Sequence, residues 1–116
     1  MGDRATLGRE AEALAAAYLR ERGLRLRQSN YRCKGGEIDL VMEQGSQLVF
    51  VEVRYRSNPR FGSAAESVDR RKQRRLAIAA LHYLQRHRLD RPCRFDVVAL
   101  GGPEVVWLRD AFQPGM

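Results

Sequence analysis

Gly35-Gly36-Glu37-Ile38-Asp39-Leu40, followed by Val49-Phe50-Val51-Glu52-Val53-Arg54, is the stretch whose reading decides the fold. The alternation over Glu37–Met42 marks one strand, and Gln47–Tyr55, dense in β-branched and aromatic residues, marks the next. A strand period of two puts Glu37 and Asp39 on one face, and Glu52 and Arg54 on one face of the following strand. Read as a two-residue hairpin turn, Gln44-Gly45 sets Glu37 opposite Glu52, with Asp39 diagonal to it on the same face. A three-residue loop would flip that parity and scatter the acids.

Carboxylates ~5 Å apart at an effective dielectric near 20 repel by about 3 kcal/mol per pair. On a solvated sheet edge such acids would be ordinary surface residues, with Glu52 paired to an arginine. Val49–Val53, however, reads as a central, buried strand, where a charge is costly unless paired or metal-bound. An oxygen-rich acidic site suits Mg²⁺ or Mn²⁺, which would polarise a phosphoryl oxygen and acidify an attacking water.

Outward from this pair, Thr6 reads as the cap of a first helix that runs to about Arg22 and stops at Gly23. Its apolar stripe is Leu7, Ala11, Leu14, Ala15, Tyr18 and Leu19. Residues 24–32 form an irregular first strand. After the third strand, Ser57–Gly62 is a loop. Ser63 with Glu66 has a capping-box pattern, Ser67 is a second cap candidate, and a long helix runs to about His87. Arg94–Leu100 and Val105–Leu108 complete the sheet across a Gly101-Gly102-Pro103 turn. The order is α-β-β-β-α-β-β. The second helix makes a parallel crossover, expected to be right-handed.

The chain has 116 residues, the size of one domain. No run approaches the ~18 apolar residues of a membrane span, and the start lacks a signal-peptide core, so a cytoplasmic protein is expected. Cys33 and Cys93 stand far apart without further ligands at zinc spacing and read as reduced thiols. Net charge is +7, but residues 54–94 alone carry +9. Only Lys34 and Lys72 are lysines, and nineteen arginines supply the rest. A basic middle beside acids points to a polyanionic partner.

Arg70-Arg71-Lys72-Gln73-Arg74-Arg75 opens the second helix ahead of its apolar half (Leu76, Ala77, Ile78, Ala80, Leu81, Leu84). These charges wrap more than one turn, so several face outward. With Arg56 and Arg60 they suit sequence-independent phosphate contacts. Nothing matches a base-reading motif. His82 and His87 read as surface histidines, Tyr83 and Trp107 as core, and Asp96 as a strand-end residue with a support or metal role.

At these residues the sequence resembles the YraN family of bacterial proteins. Gly8-Arg9 through Glu12, Asn30-Tyr31-Arg32, Gly36–Leu40, Phe50–Arg54, Phe61-Gly62, Val68, Lys72 and Arg94–Val98 follow in that family's order. The resemblance implies a restriction-endonuclease-like fold of the PD-(D/E)xK superfamily, with a central mixed sheet flanked by helices, related to archaeal Holliday-junction resolvases. It implies a metal pair at Asp39 and Glu52, the Val53 carbonyl as a further ligand, and Glu12 of the first helix completing the shell, with Glu10 its weaker rival. It further implies Mg²⁺- or Mn²⁺-dependent cleavage of branched DNA, more than RNA, by a possible homodimer. One position departs from the motif, because Arg54 stands where it has lysine. Arginine stays charged and cannot serve as a base, though it can stabilise a phosphate. Lys72 is then the lysine able to supply an ammonium from elsewhere. A non-catalytic nucleic-acid-binding module, and an interaction protein using its arginines on an acidic partner, are the competing expectations.

Overall fold

The computed structural model describes residues 4–55 and 68–113, with side chains from Gly8 onward. The elements are α1 (Arg4–Glu21), β1 (Arg25–Cys33), β2 (Gly36–Gln44), β3 (Gln47–Tyr55), α2 (Arg70–Arg86), β4 (Cys93–Leu100) and β5 (Val106–Phe112). They follow the order read from the sequence. One five-stranded sheet runs β1-β2-β3-β4-β5. All neighbours are antiparallel except β3 and β4, which the α2 crossover makes parallel.

The sheet separates two cores. On one side Ala11, Ala15 and Leu19 of α1 pack with Leu24, Leu40, Met42, Val49, Val51 and Val98. On the other, Leu76, Ala79, Ala80 and Tyr83 of α2 pack with Tyr31, Ile38, Val41, Leu48, Phe50 and Val97. Alternate residues of β3 therefore serve opposite cores, as a strand buried on both faces requires. The apolar stripes are narrower than read, since Leu14, Ile78 and Leu81 are exposed while Ala16 is buried.

The helix boundaries correct several expectations. The chain is already helical at Arg4, so Thr6 lies inside α1 instead of capping it. Gly23 does end α1, at φ 95°, with its N–H donating to the Arg20 carbonyl and the Leu24 N–H donating to the Leu19 carbonyl. That is a Schellman closure, and only glycine adopts its left-handed turn cheaply. The cap of α2 is Asp69, which accepts from the Lys72 N–H at 2.8 Å. Ser63, Glu66 and Ser67, along with the 57–62 loop, lie outside the described residues. Asp96 is mid-strand and fully buried, not at a strand end. It accepts from Arg94, Trp107 Nε1 and the Asp110 N–H, which is a sheet-supporting role. Trp107 itself is half-buried on the edge strand.

The β2–β3 hairpin keeps the expected parity but not the expected register. Gln44 pairs with Gln47, so Gly45-Ser46 forms the two-residue turn, with Gly45 at φ 59°. Leu40 pairs with Val51, and the ladder ends there. Relative to the reading above, the strands slip by two residues, which brings Asp39 instead of Glu37 level with Glu52.

The approach of α2 to the sheet depends on Gly36. A Cβ there would lie 2.4 Å from the Arg75 carbonyl oxygen and 2.8 Å from the Ala79 nitrogen, both backbone atoms of α2. Gly36→Ala must therefore push the helix off β2, and overpacking of this kind costs about 1–3 kcal/mol. Urea unfolding should show a lower midpoint at unchanged slope. An unmoved midpoint would mean that α2 does not rest on this glycine.

Candidate metal and phosphate site

Glu52 follows four buried residues of the central strand, and its own exposure is 2 %. Its Oε1 has no hydrogen-bond partner among the described residues. Asp39 lies beside it and accepts from the Val53 N–H through Oδ2 at 2.9 Å. Because the ladder has stopped at Leu40 and Val51, the Asp39 side chain takes an N–H that a strand carbonyl would otherwise satisfy. Strand alternation also breaks at this point. Ile38 packs in the α2 core and Leu40 in the α1 core, so Asp39 sits where β2 changes face. Opposite it in β1, Asn30 adopts the left-handed conformation at φ 55°.

Burial, then the neighbouring charge of Asp39, pushes the Glu52 pKa up to about 8. Two cations oppose this rise. Lys72 Nζ lies 3.6 Å from Glu52 Oε2, and Arg54 Nε lies 3.3 Å from the same oxygen without hydrogen-bond alignment. Lys72 also donates to Glu37 Oε1 at 3.0 Å, which holds the Glu37 carboxyl below its usual range. Glu37, Arg54, Asp69, Arg71, Lys72 and Arg75 line an open cleft of about 360 Å³, and two of them, Arg54 and Lys72, contact Glu52.

Glu12 does not join the pair directly. Its Oε1 accepts from Asn30 Nδ2 at 2.8 Å, and burial raises its pKa. Among the described residues, no group of three or more His, Cys, Asp or Glu is close enough to hold a metal. The fit to a divalent cation therefore rests on the Asp39–Glu52 pair and the unpartnered buried Oε1, with Glu12 on the flank. Glu10 is exposed and plays no part in this arrangement.

Comparison with known proteins places the chain in a family. The model of the uncharacterised protein family UPF0102 matches residues 11–100. The chain belongs to that family. It is 53 % identical over 106 residues to a UPF0102 protein of Janthinobacterium sp., covering 91 % of this chain and 86 % of the relative. It is 54 % identical over 112 residues to one of Nitrosococcus oceani, covering 91 % and 90 %. A Methylococcus capsulatus relative is 54 % identical over 110 residues, covering 91 % and 89 %. The YraN-type resemblance is thus met at the level of the family.

The basic residues of this UPF0102 chain divide by role. Arg70, Arg71 and Arg74 are exposed on the first turns of α2, and Arg75 lies 3.9 Å from Glu37. Lys72 turns inward to the acids instead of joining the outer face. Arg56 and Arg60 lie outside the described residues. His82 and His87 are exposed, as read, with His82 bonded to the Tyr31 hydroxyl. Among the described residues, no helix is long and apolar enough to cross a membrane. Sequence reasoning missed the Glu37–Lys72 bond and the Asn30–Glu12 bond. A lone lysine among five basic residues was the available signal for the first, while Asn30 carried none.

With a folded-state pKa of about 8 against an ordinary 4.5, Glu52 keeps a proton that the unfolded chain has released. Its contribution to stability is full below the unfolded pKa and is lost as pH rises through the folded one. Metal-free protein should therefore unfold at lower urea above pH about 8 than near pH about 5.5, and Glu52→Gln should flatten that difference. Parallel pH profiles for the two proteins would show that Glu52 is ionised throughout.

Proposed function

We propose that this chain is a metal-dependent nuclease-type domain of the restriction-endonuclease-like class, hydrolysing phosphodiester bonds of nucleic acid, with branched DNA ahead of RNA as substrate. The observation that carries this reading is the buried Glu52, whose Oε1 lacks a partner among the described residues, beside Asp39 and next to a cleft lined by Lys72 and Arg54. A carboxylate of this kind costs several kcal/mol to bury unless something compensates it. Protonation or a divalent cation both relieve that cost, and the cleft lies next to Glu52, two of its lining residues, Lys72 and Arg54, contacting the carboxylate.

Asp39 and Glu52 are the residues that would hold Mg²⁺ or Mn²⁺, with the Val53 carbonyl adjacent and Glu12 reaching the shell directly or through water. When bound, the ion supplies Lewis acidity toward a phosphoryl oxygen and an attacking water. The protein's own contribution is cationic. Lys72 and Arg54 stand beside the Glu52 carboxylate, where negative charge builds up on a transferring phosphate. Arg54 cannot give up a proton, so the ammonium of the motif's missing strand lysine is supplied by Lys72 from α2. Glu37 holds it in place.

Labelled branched, flapped, single-stranded and linear DNA should be cleaved by the purified protein in Mg²⁺ or Mn²⁺. Asp39→Asn should abolish cleavage with the fold retained, and Lys72→Met should lower it by about a hundredfold or more, the scale of losing one transition-state charge contact. Undiminished cleavage by Asp39→Asn refutes the metal-pair assignment. Salt-sensitive binding without cleavage in either metal, surviving loss of both Asp39 and Glu52, would identify a binding module on the same fold. No affinity near physiological salt would favour an acidic protein partner.

A further inference from the structure

The cleft on the α2 face of the sheet has a counterpart on the α1 face. Gly8, Arg9, Glu12, Asn30 and Arg32 line a second depression of about 230 Å³ between α1 and β1. Its polar groups are guanidiniums and an amide, with a single carboxylate. That carboxylate, Glu12, takes its hydrogen bond from Asn30, and no ion pair ties Arg9 or Arg32 to it among the described residues. Both arginines are exposed.

Strand pairing joins the two clefts. Arg32 of the α1/β1 cleft pairs in register with Glu37 of the α2 cleft. Asn30 lies between the pairs Ser29–Leu40 and Tyr31–Ile38, so it stands opposite Asp39. Moving along the sheet end, one meets Arg71 and Arg75, then Lys72 over Glu37 and Glu52, then Asp39, then Asn30, Arg32 and Arg9. Cations thus flank the acids on both sides, whereas the basic run of α2 alone accounts for only one.

Resting on the nuclease reading, we propose that the cleft of Arg9, Asn30 and Arg32 is a second phosphate subsite, and that the substrate is an uninterrupted nucleic-acid strand laid across the acid pair. A site that gripped strand ends would need cations on one side only. Cations on both faces of the sheet end would hold phosphates upstream and downstream of the bond to be cut as the strand passes over that end, and exposed guanidiniums favour bidentate phosphate contacts. The carboxyl groups between them accept no bond from a phosphate oxygen without a cation, so the flanking contacts set the register of the strand.

The test measures binding by the full chain in chelator, where cleavage is silent. A labelled single-stranded oligonucleotide and a circular strand of equal length are titrated between about 50 and 200 mM salt. Replacing Arg9 and Arg32 together with alanine should reduce the steepness of the log–log salt dependence by about 1.4, near 0.7 for each lost single-strand phosphate contact. Arg71→Ala with Arg75→Ala should do the same, and the circle should bind as tightly as the linear strand. Thermal midpoints of both double variants serve as the folding control. If the Arg9/Arg32 variant keeps the parent slope while the Arg71/Arg75 variant loses it, the second subsite is wrong and the nucleic-acid reading stands. A circle bound far more weakly than the linear strand would show end recognition and overturn the proposal. No binding to either form would bring down the nucleic-acid reading and this inference with it.

Discussion

The sheet is organised around one carboxylate that has no apolar reason to be where it is. Glu52 closes the buried run of the central strand, flanked by β2 on one side and β4 on the other. Leu48–Val51 supply both cores, so β3 cannot rotate to bring Glu52 to water without pulling Phe50 or Val51 out of its pack. Removing a side chain of that size from a core costs about 3–5 kcal/mol. The acid is therefore locked in by its neighbours, and the surrounding groups are what remains to accommodate it: the Asp39 carboxyl, Lys72 and Arg54.

Accommodation is built from departures from regularity. The β2–β3 ladder ends early, β2 changes face at Asp39, and Asn30 takes a left-handed backbone opposite. An asparagine tolerates that conformation better than most side chains. Each departure exposes or redirects a polar group toward one end of the sheet. Away from that end the polar groups behave differently. Glu43 is ringed by Arg25, Arg27 and Arg91 within hydrogen-bond reach, and its pKa is lowered, chiefly by the Arg91 bond. Asp96 is fully served by Arg94, Trp107 and the Asp110 N–H. Among the described residues, buried acids are saturated with donors except at Glu52. The contrast within one fold separates structural acids from the candidate site more sharply than burial alone.

Legibility in the sequence followed the same division. Element order and the two-faced burial of β3 were readable because they follow from local periodicity, which each strand carries in its own residues. The acid pair was readable because face parity survives a two-residue slip. The register itself was not: Gln44-Gly45 and Gly45-Ser46 are both acceptable turn dipeptides, and pairing beyond the turn decides between them. Caps misread for a related reason. Thr6, Ser63 and Ser67 are chemically suitable, but so is Asp69, and tertiary packing selects among suitable residues. The inward turn of Lys72 was the least readable feature. It depends on the rotational phase of α2 against the sheet, and although Lys72 lies four, seven and eleven residues before the buried Leu76, Ala79 and Tyr83, a run of five basic residues in six hides that stripe.

That phase is set at a distance from Lys72 by a residue with no side chain. Gly36 lets the backbone of α2 at Arg75 and Ala79 settle onto β2, and Lys72 lies one turn earlier on the same face as Arg75 and Ala79. Asp69 fixes where that turn begins by accepting the Lys72 N–H. The backbone contact and the cap together leave Lys72 Nζ within reach of Glu37 and Glu52. An ammonium delivered by a helix rather than by the strand of Glu52 frees position 54 for a guanidinium, whose fork suits a phosphate better than an ammonium does. The two positions are physically coupled. On the nuclease reading proposed above, arginine at 54 is tolerable only while Gly36 holds the helix close, and the close helix is useful there only because it carries lysine at 72.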